Sequence, residues 1–468
     1  MLNAVACLFD RNKANQGLAL RDPQKSISYQ ELISNTARVA SWLVQRGINP
    51  QDRVAIIGFN LVDTVVATLA VMYVGAVSTI INPRFPLDKI KTNLDYLDPK
   101  MILDSDQISS AIKESSKLEP ANPFPTSHDD LCALIWTSGS TSSPKAAMHT
   151  HFSVFYTALV GANSYKIKTT DKIYNTLNLF SSNGVAVLLS SLWAGAENYL
   201  DPDLVTHFRV SNNINRFGPS QFFSIPLIYS QLCLKNIDNI SRVEKFWITG
   251  ERINAKLIEN WENKTGKKLF NHYGTTEVLG GPIDNYTGTT ALGQVMPGWE
   301  VRLVDEQGQV VSDNSMGLLQ IKSHSRAQGY WRDPEQTKNI FGEWITTNDF
   351  CTRDQDGFYH FCGRKSDLVK VSGEFVNLSL VDKTLIDHVE VAQTCCVIRE
   401  NQHGVDQIEA YVVPWNLNTN HVNLIDTLKR YVLSNHKRVE CPAKIHVVEE
   451  LPRTPNGKIS RYSIPAEK

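Results

Sequence analysis

Along the first third of the chain, short apolar runs alternate with stretches whose apolar residues recur at helical spacing. SISYQELISNTARVASWLVQRG reads as a strand followed by a helix, with Leu32, Val39, Leu43 and Val44 near one face. RVAIIGF reads as a strand, and a helix is predicted around Thr64–Val74. VSTIIN and KMILDS are further short strands, and LCALIWTSGS is a strand running into a Ser/Gly loop. DKIYNTLNLF, INRFGPS and VEKFWITG carry the alternation to about residue 250. Strands that alternate with helices predict parallel sheets covered on both faces.

One segment also matches a membrane template. TVVATLAVMYVGAVSTII, Thr64–Ile81, carries no charge and approaches spanning length. Gly75 divides it, and the β-prone half beyond ends at Asn82-Pro83. A helix, a glycine stop and a buried strand are therefore predicted, with no membrane span.

From about residue 290 the texture changes to short strands punctuated by turns such as Glu306-Gln307-Gly308 and Asp356-Gly357, which reads as an antiparallel β piece. After Arg364 come helices and a hairpin, QTCCVIRE with QIEAYVVP. The expected fold class is α/β. Residues 1–365 form a large N-terminal domain of parallel sheets covered by helices plus a small β-barrel-like piece, and residues 366–468 form a small α+β C-terminal domain. No internal repeat is visible.

Composition narrows the function classes. The 47 Lys and Arg nearly cancel the 48 Asp and Glu, which argues against a mainly electrostatic nucleic-acid binder. Eight scattered Cys without CxxC spacing do not suggest a disulfide scaffold. Cys395 and Cys396 share a strand, so their thiols are expected on opposite faces, buried and reduced. The first residues lack a basic start and meet charge at Asp10, so no signal peptide is read and a cytoplasmic location is expected.

The strongest chemical signal is the stretch Thr137, Ser138, Gly139, Ser140, Thr141, Ser142, Ser143, Pro144, Lys145. A small-residue loop after a strand exposes amide N–H groups and hydroxyls that can hold phosphate oxygens, and Lys145 adds positive charge. It is not a Walker loop, and alone it also fits a solvated loop. His149 and His151 form an HxH with no evident third ligand, so no zinc site is expected.

That loop resembles the phosphate loop of the adenylate-forming enzymes, the superfamily of acyl- and aryl-CoA synthetases, peptide-synthetase adenylation domains and luciferase. Four more stretches resemble its motifs in the same order: Tyr273-Gly-Thr-Thr-Glu277, Thr347-Asn-Asp349, Gly363 to Glu374, and Pro455-Asn-Gly-Lys458. The resemblance implies an enzyme that joins a carboxylate to the α-phosphate of ATP, releases pyrophosphate, and passes the acyl group to a thiol. It implies that Thr137–Lys145 holds the outer phosphates and that Glu277, with Thr141, holds Mg²⁺. Thr276 would contact the α-phosphate. Tyr273, with Gly274 and Thr275 beside it, would stack on adenine, whose edge the backbone around His272 would read. Asp349 would take the ribose hydroxyls and Arg364 would add a ribose contact. Lys458 is the expected catalytic lysine, between carboxylate and α-phosphate. Ser366 is the expected hinge of a mobile C-terminal lid, and Gly373 and Glu374 would line a pantetheine tunnel.

Several positions depart from the family pattern. Ser142 and Asn348 stand where glycine is usual, and Ser366 stands where Asp or Lys is usual. The stretch Glu374–Asp382 lacks the usual Pro and Glu. Gly250, Glu251 and Arg252 sit where small residues flank adenine. There, Glu251 and Arg252 would contact nucleotide or substrate, or pair with each other.

For the acid, the stretch Phe180, Ser181, Ser182, Asn183, Gly184 contains no acidic group, which disfavours an α-amino acid and resembles benzoate-type CoA ligases. Small polar residues there imply a larger pocket, or a substrate with hydroxyl or carbonyl groups. Trp136, Phe222 and Phe223 are candidate walls or core. Three readings stay open: an acyl- or aryl-CoA synthetase, a stand-alone enzyme loading a carrier protein's phosphopantetheine, and a degenerate nucleotide-binding protein. The implied partners are ATP, Mg²⁺, a small carboxylic acid and CoA or a carrier protein, with the chain a monomer or homodimer.

Overall fold

The structure is a computed structural model, described here for residues 2–137, 144–203, 206–233, 240–371, 374–402, 405–454 and 459–464. Local chemistry sets its first elements. Ser28 caps the helix Tyr29–Gln45 and Glu31 returns a bond to the Ser28 amide, a complete capping box. Val44, expected on the apolar face, lies outside the core at 54% exposure. The Thr64–Ile81 stretch resolves into the helix Val62–Tyr73, a turn at Gly75 with φ +75°, and the strand Val77–Ile81. Left-handed φ suits glycine there. No helix among the described residues is long and apolar enough to cross a membrane.

That strand is central in a five-stranded sheet. Its order is Met101–Leu103, Arg53–Ile57, Val77–Ile81, Leu131–Trp136, Ala146–Thr150, parallel except for the last hairpin. A nine-stranded sheet has a parallel middle built from Leu269–Thr275, Lys245–Thr249, Gln221–Ser224, Lys172–Asn175, Glu197–Leu200 and Leu18–Arg21. Antiparallel strands close both of its ends. Helices His151–Ser164 and Ser182–Ala194 are apolar almost all round, which marks them as buried. One core joins Ile56 and Ile80 of the smaller sheet, Leu188 and Leu192 of the second helix, and Leu20 and Leu200 of the larger sheet.

The β piece beyond residue 290 is a four-stranded antiparallel sheet, Glu300–Val304, Gly317–Lys322, Ile345–Arg353 and Tyr359–Arg364. The C-terminal part has its own core around a sheet of Val391–Glu400, Asp406–Pro414 and Lys444–Val447, packed on helices Leu378–Asp387 and His421–Asn435. Cys395 and Cys396 do face opposite ways: each is buried in a different cluster, and both are unpaired thiols.

Candidate active site

A cleft of about 570 Å³ opens where the nine-stranded sheet, the antiparallel sheet and the helix Leu378–Asp387 meet. Its walls carry most of the motif residues, each placed by an identifiable local device.

The loop after Leu131–Trp136 is held at its base, where the Thr137 amide donates to the Lys145 carbonyl at 3.0 Å. Ser138, Gly139, Ser140, Thr141 and Ser142 lie outside the described residues. The Lys145 ammonium sits 5.8 Å from the centre of the Tyr330 ring, within reach of a cation–π contact.

Thr276 and Glu277 occupy a single turn, Thr276–Val278, at the end of strand Leu269–Thr275. The turn is held from three sides. His149 donates through Nε2 to the Thr276 carbonyl at 2.8 Å, the Ala327 amide donates to the Glu277 carbonyl at 2.8 Å, and the Ser182 and Thr276 hydroxyls lie 3.2 Å apart. Burial pushes the His149 pKa down to about 4, so the ring is neutral. Because a carbonyl only accepts, Nε2 carries the proton. A Cβ on Gly274 would come 2.4 Å from the Gly280 carbonyl oxygen, so glycine is what lets the two strands of this hairpin approach. The Tyr330 hydroxyl donates to Glu277 Oε1 at 2.6 Å.

Asp349 and Arg364 are cross-strand partners. Arg364 Nε reaches Asp349 Oδ1 at 3.2 Å, and the Tyr273 hydroxyl donates to Asp349 Oδ2 at 2.6 Å. Burial, then the Asp349 charge, hold the Tyr273 phenol well above its ordinary range, so it stays a donor. The carboxylate raises the Arg364 pKa. Asn348 lies in extended strand, outside the left-handed region, so its departure from glycine carries no backbone strain. The His272 ring is occupied by Asp284 at 2.6 Å and by the Tyr165 hydroxyl at 2.7 Å.

Ser181 caps the helix Ser182–Ala194, and Ser181, Ser182 and Asn183 line the cleft. Phe180 and Gly184 do not. Phe180 is buried in the main core, and a Cβ on Gly184 would lie 2.1 Å from the Asn178 carbonyl, so both shape the helix start. Phe222 and Phe223 are core side chains, whereas Trp136 is a wall of the cleft.

Gly250, with φ +94°, is followed by Glu251 and Arg252, which do not pair with each other. Glu251 accepts from Arg453 Nη1 on both oxygens, at 3.2 and 3.3 Å, and from the Ile459 amide at 2.6 Å. Arg252 donates to the Phe361 carbonyl at 2.9 Å, and burial lowers its pKa. Sequence reasoning missed Tyr330, Lys383 and Asp387, which also line the cleft. Tyr330 comes from a segment with no phosphate-like or periodic signal, and Lys383 and Asp387 lie on the helix Leu378–Asp387, outside every motif.

Ser366 lines the cleft within the turn Lys365–Asp367. Arg364, before the turn, is tied to Asp349. Asp367, at its end, accepts from Ser379 and lies 3.5 Å from Arg461, which also pairs with Asp382 at 2.9 Å. Lys458 and Gly373 lie outside the described residues. Glu374 is exposed, 3.5 Å from Lys437, and does not line the cleft.

The donor set suits a metal–nucleotide complex. Glu277 Oε2 carries no hydrogen bond among the described residues and its residue lines the cleft, and a hard oxygen of this kind suits Mg²⁺. No group of three or more His, Cys, Asp or Glu among the described residues could hold a metal alone. A cation there needs further oxygens, such as those of phosphates.

The model of the AMP-binding enzymes matches residues 9–331, and that of the AMP-binding enzyme C-terminal domain matches residues 380–458. The chain belongs to the AMP-binding enzymes, the adenylate-forming superfamily. It is similar to a 4-hydroxybenzoate–CoA/benzoate–CoA ligase of Rhodopseudomonas palustris, 28% identical, covering 98% of this chain and 93% of that one. In fold it is similar to an anthranilate CoA ligase in complex with anthranoyl-AMP, with TM-score 0.89, 23% identity, and 98% and 96% of the two chains covered. It is also similar in fold to an o-succinylbenzoate coenzyme A synthetase of Bacillus subtilis in complex with ATP and magnesium ion, with TM-score 0.83, 21% identity and 99% of each chain covered.

Proposed function

We propose that this AMP-forming acid–thiol ligase activates an aromatic carboxylic acid with ATP and passes the acyl group to CoA. The observation that carries the reading is convergence. Lys145, Glu277 and the Tyr273–Asp349–Arg364 cluster face one cleft that also includes Ser181, Ser182, Asn183 and Trp136. The relative from Rhodopseudomonas palustris, whose name carries benzoate and 4-hydroxybenzoate, supports an aromatic acid.

Both reactants are anions, so the site must offset their repulsion and the charge growing at the α-phosphorus. Lys145 takes the outer phosphates at the end of the Thr137 loop. Asp349 accepts from the ribose hydroxyls, with Tyr273 and Arg364 holding its carboxylate in place. Thr276 donates to the α-phosphate, and Lys458 brings a positive charge to the attacking carboxylate. Glu277, with Thr141, would hold Mg²⁺, which screens phosphate charge when bound. Ser366 is the joint between residues 1–365 and 366–468. Anchors on either side, Arg364 to Asp349 and Asp367 to Arg461, support that boundary.

Pyrophosphate exchange over a panel of benzoates with ring hydroxyl or amino groups tests the first half-reaction. Exchange with at least one aromatic acid is expected, and none with any would overturn the reading. Supplying CoA or a holo-carrier protein then tests the acceptor: thioester on CoA is expected.

A further inference from the structure

Tyr330 lies against both an anion and a cation of the proposed site. Its hydroxyl donates to Glu277 Oε1 at 2.6 Å, and its ring lies 5.8 Å from the Lys145 ammonium. The ring is packed, not free. It is 7% exposed, meets Phe341 edge-on at 5.1 Å, and clusters with Ala147 and Ala327.

The backbone around it is pinned as firmly. The Tyr330 amide donates to the Thr337 hydroxyl at 2.9 Å. The Trp331 amide donates to the Ala146 carbonyl at 2.9 Å, and the Met148 amide to the Gly329 carbonyl at 2.8 Å. This short segment therefore runs as an extra edge along the strand that follows the phosphate loop. A Cβ on Gly329 would come 2.5 Å from Thr337, so glycine permits the close approach that caps Tyr330.

Burial and the Glu277 charge both raise the phenol's pKa, so the hydroxyl is a permanent donor. One donor on one carboxylate oxygen fixes the rotamer of Glu277 and leaves the other oxygen without a partner among the described residues. The ring faces Lys145 while its hydroxyl holds Glu277, and no ion pair joins these two opposite charges among the described residues.

We propose that Tyr330 is a positioning residue for the metal: its hydroxyl orients Glu277 so that Oε2 is presented to Mg²⁺. The inference rests on the reading of Glu277 as the metal ligand. Groups that hold a metal ligand in place typically change affinity by tenfold or more when removed.

The test is Tyr330→Phe, which keeps the ring and removes only the hydroxyl. Binding of Mn²⁺ is followed by its electron paramagnetic resonance signal with a non-hydrolysable ATP analogue present. Tyr330→Phe is expected to weaken Mn²⁺ binding about tenfold. Nucleotide binding in EDTA should be unchanged, and excess Mg²⁺ should restore kcat. Glu277→Gln separates the two levels. If Glu277→Gln weakens Mn²⁺ binding while Tyr330→Phe binds as the unaltered protein does, the role of Tyr330 is overturned and that of Glu277 stands. If Glu277→Gln leaves Mn²⁺ binding unchanged, both fall.

Discussion

Glu251 and Arg453, 202 positions apart in sequence, meet at 3.2 Å and join the wall of the cleft to the C-terminal part of the chain. The Ile459 amide donates to the same carboxylate, and Arg453 and Ile459 form an isolated antiparallel bridge. Glu251 thus holds both ends of the segment that contains Lys458. Replacing it by Gln keeps an acceptor for the amide and removes the charge. Glu251→Gln is expected to slow adenylation about tenfold, the scale of one charged hydrogen bond. Thioester formation from a supplied acyl-adenylate should change less. Pyrophosphate exchange set against single-turnover thioesterification checks this.

The ribose end makes a separate prediction. Tyr273→Phe removes the 2.6 Å bond to Asp349 and leaves the ring. The KM for ATP should rise about tenfold with little change in kcat, because this bond orients a binding group. A fall in kcat at unchanged KM would show that the tyrosine acts in the chemical step instead.

Lys458→Ala should cost adenylation ~10²–10³-fold. It should spare the second half-reaction when acyl-adenylate is supplied, since charge on the attacking carboxylate matters only in the first. Equal loss in both half-reactions would remove the division of roles.

The buried histidine predicts a pH response. His149 is fully buried with its pKa lowered to about 4, below the ~6.5 of an unfolded chain. The unfolded chain therefore binds the proton first as pH falls. Stability from this group is complete above about pH 6.5 and is lost towards pH 4, to the extent of about 3 kcal/mol. Melting temperature measured against pH should fall across that window, and the slope should be shallower in His149→Gln. An identical slope would show that other groups dominate.

Much of this was legible in the sequence because it was local. The glycine stop at Gly75, the alternating faces of Cys395 and Cys396, and the antiparallel texture after residue 290 depend on neighbours a few residues away. The motif residues Asp349 and Arg364 were each singled out, but their pairing depends on strand register, which the intervening turn sets. The contacts of Glu251 with Arg453 and of Tyr330 with Glu277 join distant segments, and neither leaves a periodic trace. Phe180 was misplaced for a related reason. It abuts the cleft-lining serines in sequence, but at the start of a helix adjacent side chains point in different directions. The helices Leu87–Leu97 and Ser105–Ser115 went unread although Leu87, Ile90, Leu94 and Leu97, and then Ile108, Ala111 and Ile112, recur at helical spacing, because the short apolar strands beside them dominate the pattern.

The buried strand Val77–Ile81 lies between Arg53–Ile57 and Leu131–Trp136. During synthesis its first neighbour is already made, but its second emerges only after two more helices have left the ribosome. For that interval the most apolar stretch of the chain has one unpaired edge, the condition under which nascent chains associate with one another or recruit chaperones. Yield from rapid expression should therefore depend on how fast the chain reaches Trp136, so slow codons between Ile81 and Leu131 would prolong the exposed state.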